Sequence, residues 1–192
     1  MTGLTPPQRS HADSLLDSLL VTMVLAGDRR AASRLHARWH QRLLRTARRH
    51  TGDGEQARVA VQECWLAIWR GLPALRDHAS FAPWAFGILR RRCAERVSEL
   101  ARDRDRHAEA DSDVEAQAHA GPAAAPLEDR IAIAGAFAAL SPIHRLAAHL
   151  FFVEGLSLAE IAAVQNVPEG TVKSRLFHAR RQLKAALSGD DQ

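Results

Sequence analysis

Apolar residues recur along this chain at spacings of three and four, and over no useful length do they alternate with polar ones, so the pattern predicts helices and an all-α fold. A first helix ends at Gly27, and a second carries Leu35, Trp39, Leu43 and Leu44 on one stripe before Gly52-Asp53-Gly54 stops it. The third, ARVAVQECWLAIWRGL, turns Val61, Trp65, Ile68, Trp69 and Leu72 toward a shared core. Residues 71–80 read as a loop. The fourth helix, FAPWAFGILRRRCAERV, holds Phe81, Trp84, Ile88 and Leu89 largely inside and leaves Arg90, Arg91, Arg92 and Arg96 for the surface.

The segment LSLAEIAAVQNVPEGTVKSRLFHARRQL, 156–183, reads as a helix-turn-helix. Ser157 and Glu160 form a capping box, in which hydroxyl and carboxylate each satisfy a backbone N–H at a helix start. Leu158, Ile161 and Ala162 fall at helical spacing, and Asn166-Val167-Pro168 then supplies a turn-former and a proline suited to open the next helix. At about 100° per residue, Val172, Leu176, Ala179 and Leu183 share an inward stripe. The opposite surface carries Lys173, Ser174, Phe177, His178 and Arg181, flanked by Arg175 and Arg180. Arginine, lysine and serine there suit base edges and phosphates of a major groove, and an exposed aromatic suits a thymine methyl. A solvated helix face is the bland alternative.

This segment resembles the fourth conserved region of extracytoplasmic-function (ECF) sigma factors, the promoter-specificity subunits of bacterial RNA polymerase, above all in the stretch GTVKSRL. The upstream order AGDRRAASRLHARWHQRLLRTARRH, VQECWLAIWRGL, ASFAPWAFGILRRRCAE is similar to the family's second region. The resemblance covers roughly 17–97 and 127–187. It implies two small helical domains joined by a linker: a tail (1–16), a region 2 domain (17–97), a flexible acidic linker (98–126), a region 4 domain (127–187) and a C-terminal tail (188–192).

By that resemblance the first domain grips the β′ clamp helices of core polymerase through Gln62, Glu63 and Trp69 and captures single-stranded minus-ten bases, with Arg76, His78, Ser80, Arg90, Arg91 and Arg92 as its candidates. The second domain reads the duplex minus-thirty-five element through Thr171, Lys173, Ser174, Arg175, Phe177, His178 and Arg181, and meets the β flap. A cognate anti-sigma factor is a further implied partner, along with promoter DNA. Capture of a melted strand needs cations and aromatics or pockets, which the loop GLPALRDHASF and the arginine cluster could offer. Trp84 reads as core or as a stacking platform, and the arginines of 29–49 as a phosphate track or a solvated face. One departure stands out. Where the family has an acidic pair and a leucine before Gln-Glu, this chain has Arg58, Val59 and Ala60, which would weaken steering toward a basic clamp surface.

Composition bounds this reading. The 192 residues have room for two small domains. The net charge is +4, with a pI near 10.0, and it is unevenly spread, because 98–129 is rich in Asp, Glu, Ala, Gly and Pro while both flanks are basic. Lys173 and Lys184 are the only lysines, an arginine bias that a GC-rich genome would produce. Cys64 and Cys93 form no CxxC pair and read as buried thiols, with a disulfide switch as the alternative. His36 and His40 have metal-ligand spacing, but nothing completes a site, so no metal or cofactor is expected. There is no phosphate-binding glycine loop or nucleophile elbow, and the expectation is a protein without its own catalysis. No signal segment or membrane span is legible, so a cytoplasmic protein without membrane insertion is expected. Two rivals remain: a stand-alone duplex-binding regulator, and a degenerate module that sequesters an anti-sigma factor or competes for core.

Overall fold

A computed structural model describes residues 9–106 and 127–188 of the chain. All regular structure among the described residues is helical: α1 (His11–Leu25), α2 (Arg29–Thr51), α3 (Gly54–Gly71), α4 (Phe81–Arg106), α5 (Leu127–Ala138), α6 (Pro142–Ala148), α7 (Leu158–Gln165) and α8 (Glu169–Ser188). Short 3₁₀ turns at Leu72–Ala74 and His78–Ser80 occupy the expected loop, and a π-helical turn at His149–Val153 extends α6. No helix among the described residues is long and apolar enough to cross a membrane.

Each boundary has a local cause. Ser10, Asp28 and Asp53 accept backbone N–H bonds at the starts of α1, α2 and α3. Gly52 closes α2 in the left-handed region with φ 71°, where a side chain would be strained. The helices overrun the expected domain limits. Helix α1 opens at His11, inside the stretch read as a tail, because Ser10 caps it; α4 continues to Arg106, well into the stretch read as linker. The remainder of that linker lies outside the described residues.

Leu35, Trp39 and Leu43 of α2, Val61 and Ile68 of α3, and Phe81, Phe86 and Leu89 of α4 fill the centre of the first helical unit. Asp17 of α1 is fully buried among them. It accepts from Arg9 (2.8 Å), from Arg38 (2.8 Å) and from the Trp39 indole (3.0 Å), so its charge is matched within the core. Trp84 rests on Gly71, where a Cβ would come within 3.0 Å of its ring, and packs against this core beside Phe81. That favours the structural side of its two readings.

The two units do not keep separate cores. Helix α7 packs between α4 and α8, and α6 packs on α2. Leu150, Leu156, Ile161 and Val164 thereby join the same apolar cluster as Phe86, Leu89 and Cys93. Polar contacts frame that seam. Arg42 of α2 donates to Glu154 at 2.8 Å, Thr46 meets His149 at 2.9 Å, and Arg90 of α4 donates to the Val164 carbonyl at 2.7 Å.

Candidate nucleic-acid interface

The helix-turn-helix is built as its sequence implies. Glu160 accepts from the Ser157 N–H at 2.7 Å, and Ser157 accepts from the Glu160 N–H at 3.2 Å. Asn166 ends α7 in the left-handed region with φ 53° and donates its N–H back to the last turn of that helix. Two residues later Pro168 offers its carbonyl to Thr171 and Val172, and α8 begins. Val172, Leu176 and Ala179 are buried and Leu183 is half-buried, so the inward stripe is the expected one.

With that stripe seated, Lys173, Ser174, Phe177, His178, Arg180 and Arg181 stand exposed on one side of α8, and Thr171 is half-buried at its start. Phe177 is 65% exposed, the most open large apolar side chain among the described residues. Its ring meets the edge of His178, which in turn stacks on His144 of α6 with centroids 5.8 Å apart. Arg175 differs from its neighbours. It is half-buried and donates to the Gln165 side-chain oxygen on α7, which ties the two helices together. The face therefore offers cations, a hydroxyl, an imidazole and an aromatic in one strip.

The six residues considered for single-strand capture are not gathered into one patch. Ser80 ends the 3₁₀ turn before α4, whereas Arg90 lies nine residues beyond the first residue of that helix, about 14 Å along its axis at the α-helical rise. Arg76 is exposed on the loop. His78 pairs with the Thr22 hydroxyl at 2.9 Å, and Ser80 is bonded to Asp77, which caps the second 3₁₀ turn. On α4 the three arginines fan out: Arg90 turns inward to Val164, Arg91 faces solvent, and Arg92 pairs with Glu95 at 2.7 Å.

On α3, Gln62 and Trp69 share a face with Leu66, which is 55% exposed. Sequence reasoning missed Leu66; its signal was a leucine lying off the core stripe. Glu63 lies about 100° round the helix and is ion-paired with Arg96 of α4. Trp69 stacks on Trp65 at 5.2 Å, Trp65 meets His36 in a tilted contact at 4.6 Å, and His36 stacks on His40 at 4.8 Å, forming a row of four rings. Burial, then the neighbouring His40, lowers the pKa of His36 from its ordinary value. No group of three or more metal-ligating side chains exists among the described residues. Cys64 and Cys93 are both free and buried, and burial pushes each thiol up to about 12.

Comparison with known proteins adds to this geometry. Residues 35–103 match the family model described as sigma-70 region 2, and residues 130–183 match sigma-70 region 4. The chain is 32% identical over 171 residues to the ECF RNA polymerase sigma factor SigM of Mycobacterium tuberculosis, covering 89% of this chain and 84% of SigM. It is 35% identical over 146 residues to SigL of the same species, with 76% and 82% covered. Its fold is similar to the sigma factor RpoE of Bartonella quintana, crystallised with the anti-sigma factor NepR, at a TM-score of 0.67 and 23% identity over 81% of this chain and 96% of that one. It is also similar to CnrH in complex with the cytosolic domain of CnrY, at 0.62 and 24% over 92% and 99%.

Proposed function

The chain belongs to the ECF sigma factors of bacterial RNA polymerase, and from that premise we propose that it joins core polymerase and directs it to a particular set of promoters, reading the upstream element through α8. The observation that carries the second half is the exposed strip of Lys173, Ser174, Phe177, His178 and Arg181 on a helix held by a capped turn. Cations there neutralise phosphates, and the phenyl and imidazole rings meet base edges. Thr171 lies at the helix start, where a hydroxyl can reach a phosphate. Arg175 acts by holding α8 on α7.

The first helical unit binds the β′ clamp helices through the α3 face of Gln62, Leu66 and Trp69, with Glu63 holding α4 through Arg96. Arg76 and Arg91 contact the melted strand's phosphates; His78, Ser80, Arg90 and Arg92 complete that set once their present partners are exchanged. The β flap docks on the second unit. Catalysis belongs to the polymerase, and the protein works in the cytoplasm.

An anti-sigma factor restrains it. NepR and CnrY stand beside similar folds in those two complexes, which supports this reading.

Run-off transcription with purified core polymerase on a library of promoters tests the proposal. Discrete new start sites that depend on the protein are the expected result. Duplex binding without core, and no transcripts, would instead identify a stand-alone regulator; core binding without initiation would identify a sequestering module.

A further inference from the structure

Two histidines from different helices meet at the edge of the exposed strip of α8. The His178 ring lies 5.8 Å, centroid to centroid, from that of His144 on α6, with 19° between their planes. That is an offset stack, within the range over which aromatic pairs attract. The Phe177 ring meets His178 in an edge contact at 81°, with centroids 5.6 Å apart.

The packing beneath explains why the two imidazoles meet. His144 stands one helical turn before Ala148, and His178 immediately precedes Ala179. Both alanines lack exposed surface and form, with Leu140, a small apolar cluster on which Phe137, Phe152 and Leu183 pack. Side chains that small let α6 and α8 approach closely, and each helix then carries its histidine to the rim of the contact. His144 is half-buried there and His178 exposed. The His144 Nδ1 is buried and finds no hydrogen-bond partner among the described residues, so packing rather than a polar bond sets the place of this ring.

An exposed imidazole on a helix exchanges rotamers freely. Reading a base requires the reverse. A hydrogen bond to a base edge weakens steeply as its angle departs from linear, and ordering a free side chain on binding is a cost in itself. A stack of this kind favours one rotamer about two- to tenfold over the others. His178 thus meets the duplex with its direction already selected, by a residue outside α8 and outside the helix-turn-helix.

We propose, resting on the promoter-reading role of α8 given above, that His144 is a positioning residue for that readout. Stacked on His178, it fixes the direction from which the imidazole meets a hydrogen-bonding base edge in the major groove, and so sets the discrimination at one base pair of the upstream element. His144 acts through His178 and not on the base.

His178→Ala, His144→Ala and His144→Phe in the full chain, each joined to core polymerase, are compared on a promoter library in which every upstream base pair is varied. His178→Ala marks the position that this side chain reads. His144→Ala should lower discrimination at that same position about two- to tenfold and leave the other positions and the salt dependence of binding unchanged. Phenylalanine at 144 keeps a stacking ring without hydrogen-bonding groups and should restore the discrimination. Adding His144→Ala to His178→Ala should change nothing further, because the first acts only through the second. Discrimination kept in His144→Ala, a loss spread evenly over all positions, or no position altered by His178→Ala would each overturn the proposal.

The ring contact is also read without polymerase or DNA. In the nuclear magnetic resonance spectrum of the free chain, the His178 ring protons should shift on His144→Ala, as the neighbouring ring current is removed. Protein-dependent start sites with unmoved His178 resonances would overturn the positioning role alone. Absence of start sites would overturn the promoter reading and this role with it.

Discussion

Arg175 of α8 donates to the side-chain oxygen of Gln165, the last residue of α7. An arginine that by spacing alone belongs with the DNA-reading cations is thereby half withdrawn into the joint of the helix-turn-helix. Removing it should disturb how α8 is presented as well as what it touches. Lys173→Ala, which deletes an exposed cation only, should weaken promoter binding uniformly and flatten its salt dependence by about one unit of slope. Arg175→Ala should lower duplex affinity and also the melting temperature, with Gln165→Ala reproducing the thermal part. Binding across a salt series and thermal melts separate the two; equal melting temperatures for wild type and Arg175→Ala would remove the joint from the account.

Phe177 is 65% exposed, so Phe177→Ala should leave unfolding free energy within about 0.5 kcal/mol of wild type. Its effect should fall on promoter choice, at about 1–3 kcal/mol of lost discrimination at one upstream position. His178→Ala should shift preference at a neighbouring position. Promoter profiles of the two holoenzymes check this, and identical profiles with uniformly weaker signals would sink the base-reading role.

Asp17 accepts from Arg9, Arg38 and Trp39 within the core and has no exposed surface. Asp17→Ala leaves the Trp39 indole N–H without its acceptor and removes the buried carboxylate from two guanidinium groups, of which Arg38 keeps Asp13 and Arg9 keeps Glu160, so it should cost about 3 kcal/mol. Urea unfolding measures it. A loss below about 1 kcal/mol would show that water replaces the carboxylate without penalty.

Stability should fall as solution acidifies from neutral. Burial, with Arg49 and Arg45 nearby, outweighs Glu154 and holds His149 below its ordinary value of 6.5; burial and then Arg90 do the same to His50. A histidine with a depressed folded pKa binds its proton more readily when unfolded. Its contribution is therefore complete above about pH 6.5 and is lost as pH falls below it, by at most about 1.4 kcal/mol per pH unit for each group. Thermal melts between pH 7.5 and pH 5.5, on the order of one histidine's titration range, should show the decline, and His149→Gln should flatten it in part. A wild-type melting temperature that does not fall toward the acid end contradicts the assignment.

Cys64 and Cys93 are buried, with thiols pushed up to about 12 by that burial. At neutral pH they should resist a thiol reagent in the folded chain and react together on denaturation. Rapid labelling of either in the native protein would return the disulfide switch to consideration.

Much of the fold was legible because helical periodicity is a local property. Leu35, Trp39 and Leu43 recur on one stripe and are all fully buried, and the Ser157–Glu160 capping box and the Asn166 turn stand where spacing put them. The exposed strip of α8 followed from the same rule, since seating Val172, Leu176 and Ala179 leaves Lys173, Phe177 and His178 no other side. The loop and arginine cluster of the first unit were harder. Adjacency in sequence suggested one patch, but Arg90 lies about two and a half turns into α4, away from the 3₁₀ turn that Ser80 ends, and the helix turns Arg90, Arg91 and Arg92 in three directions.

The chain's own pattern thus settled which segments are helices, which face of each is apolar and where the helix-turn-helix bends, because caps, turns and the helical repeat act within a few residues. What only tertiary structure decided is the company each polar side chain keeps. Glu154 gave no sign in its neighbourhood of being buried, and its partner Arg42 lies 112 residues away; Arg90 finds its acceptor 74 residues on. Nothing in local spacing encodes such pairs. They exist because the apolar faces of α6 and α7 pack on α2 and α4, and that packing carries the charges with it.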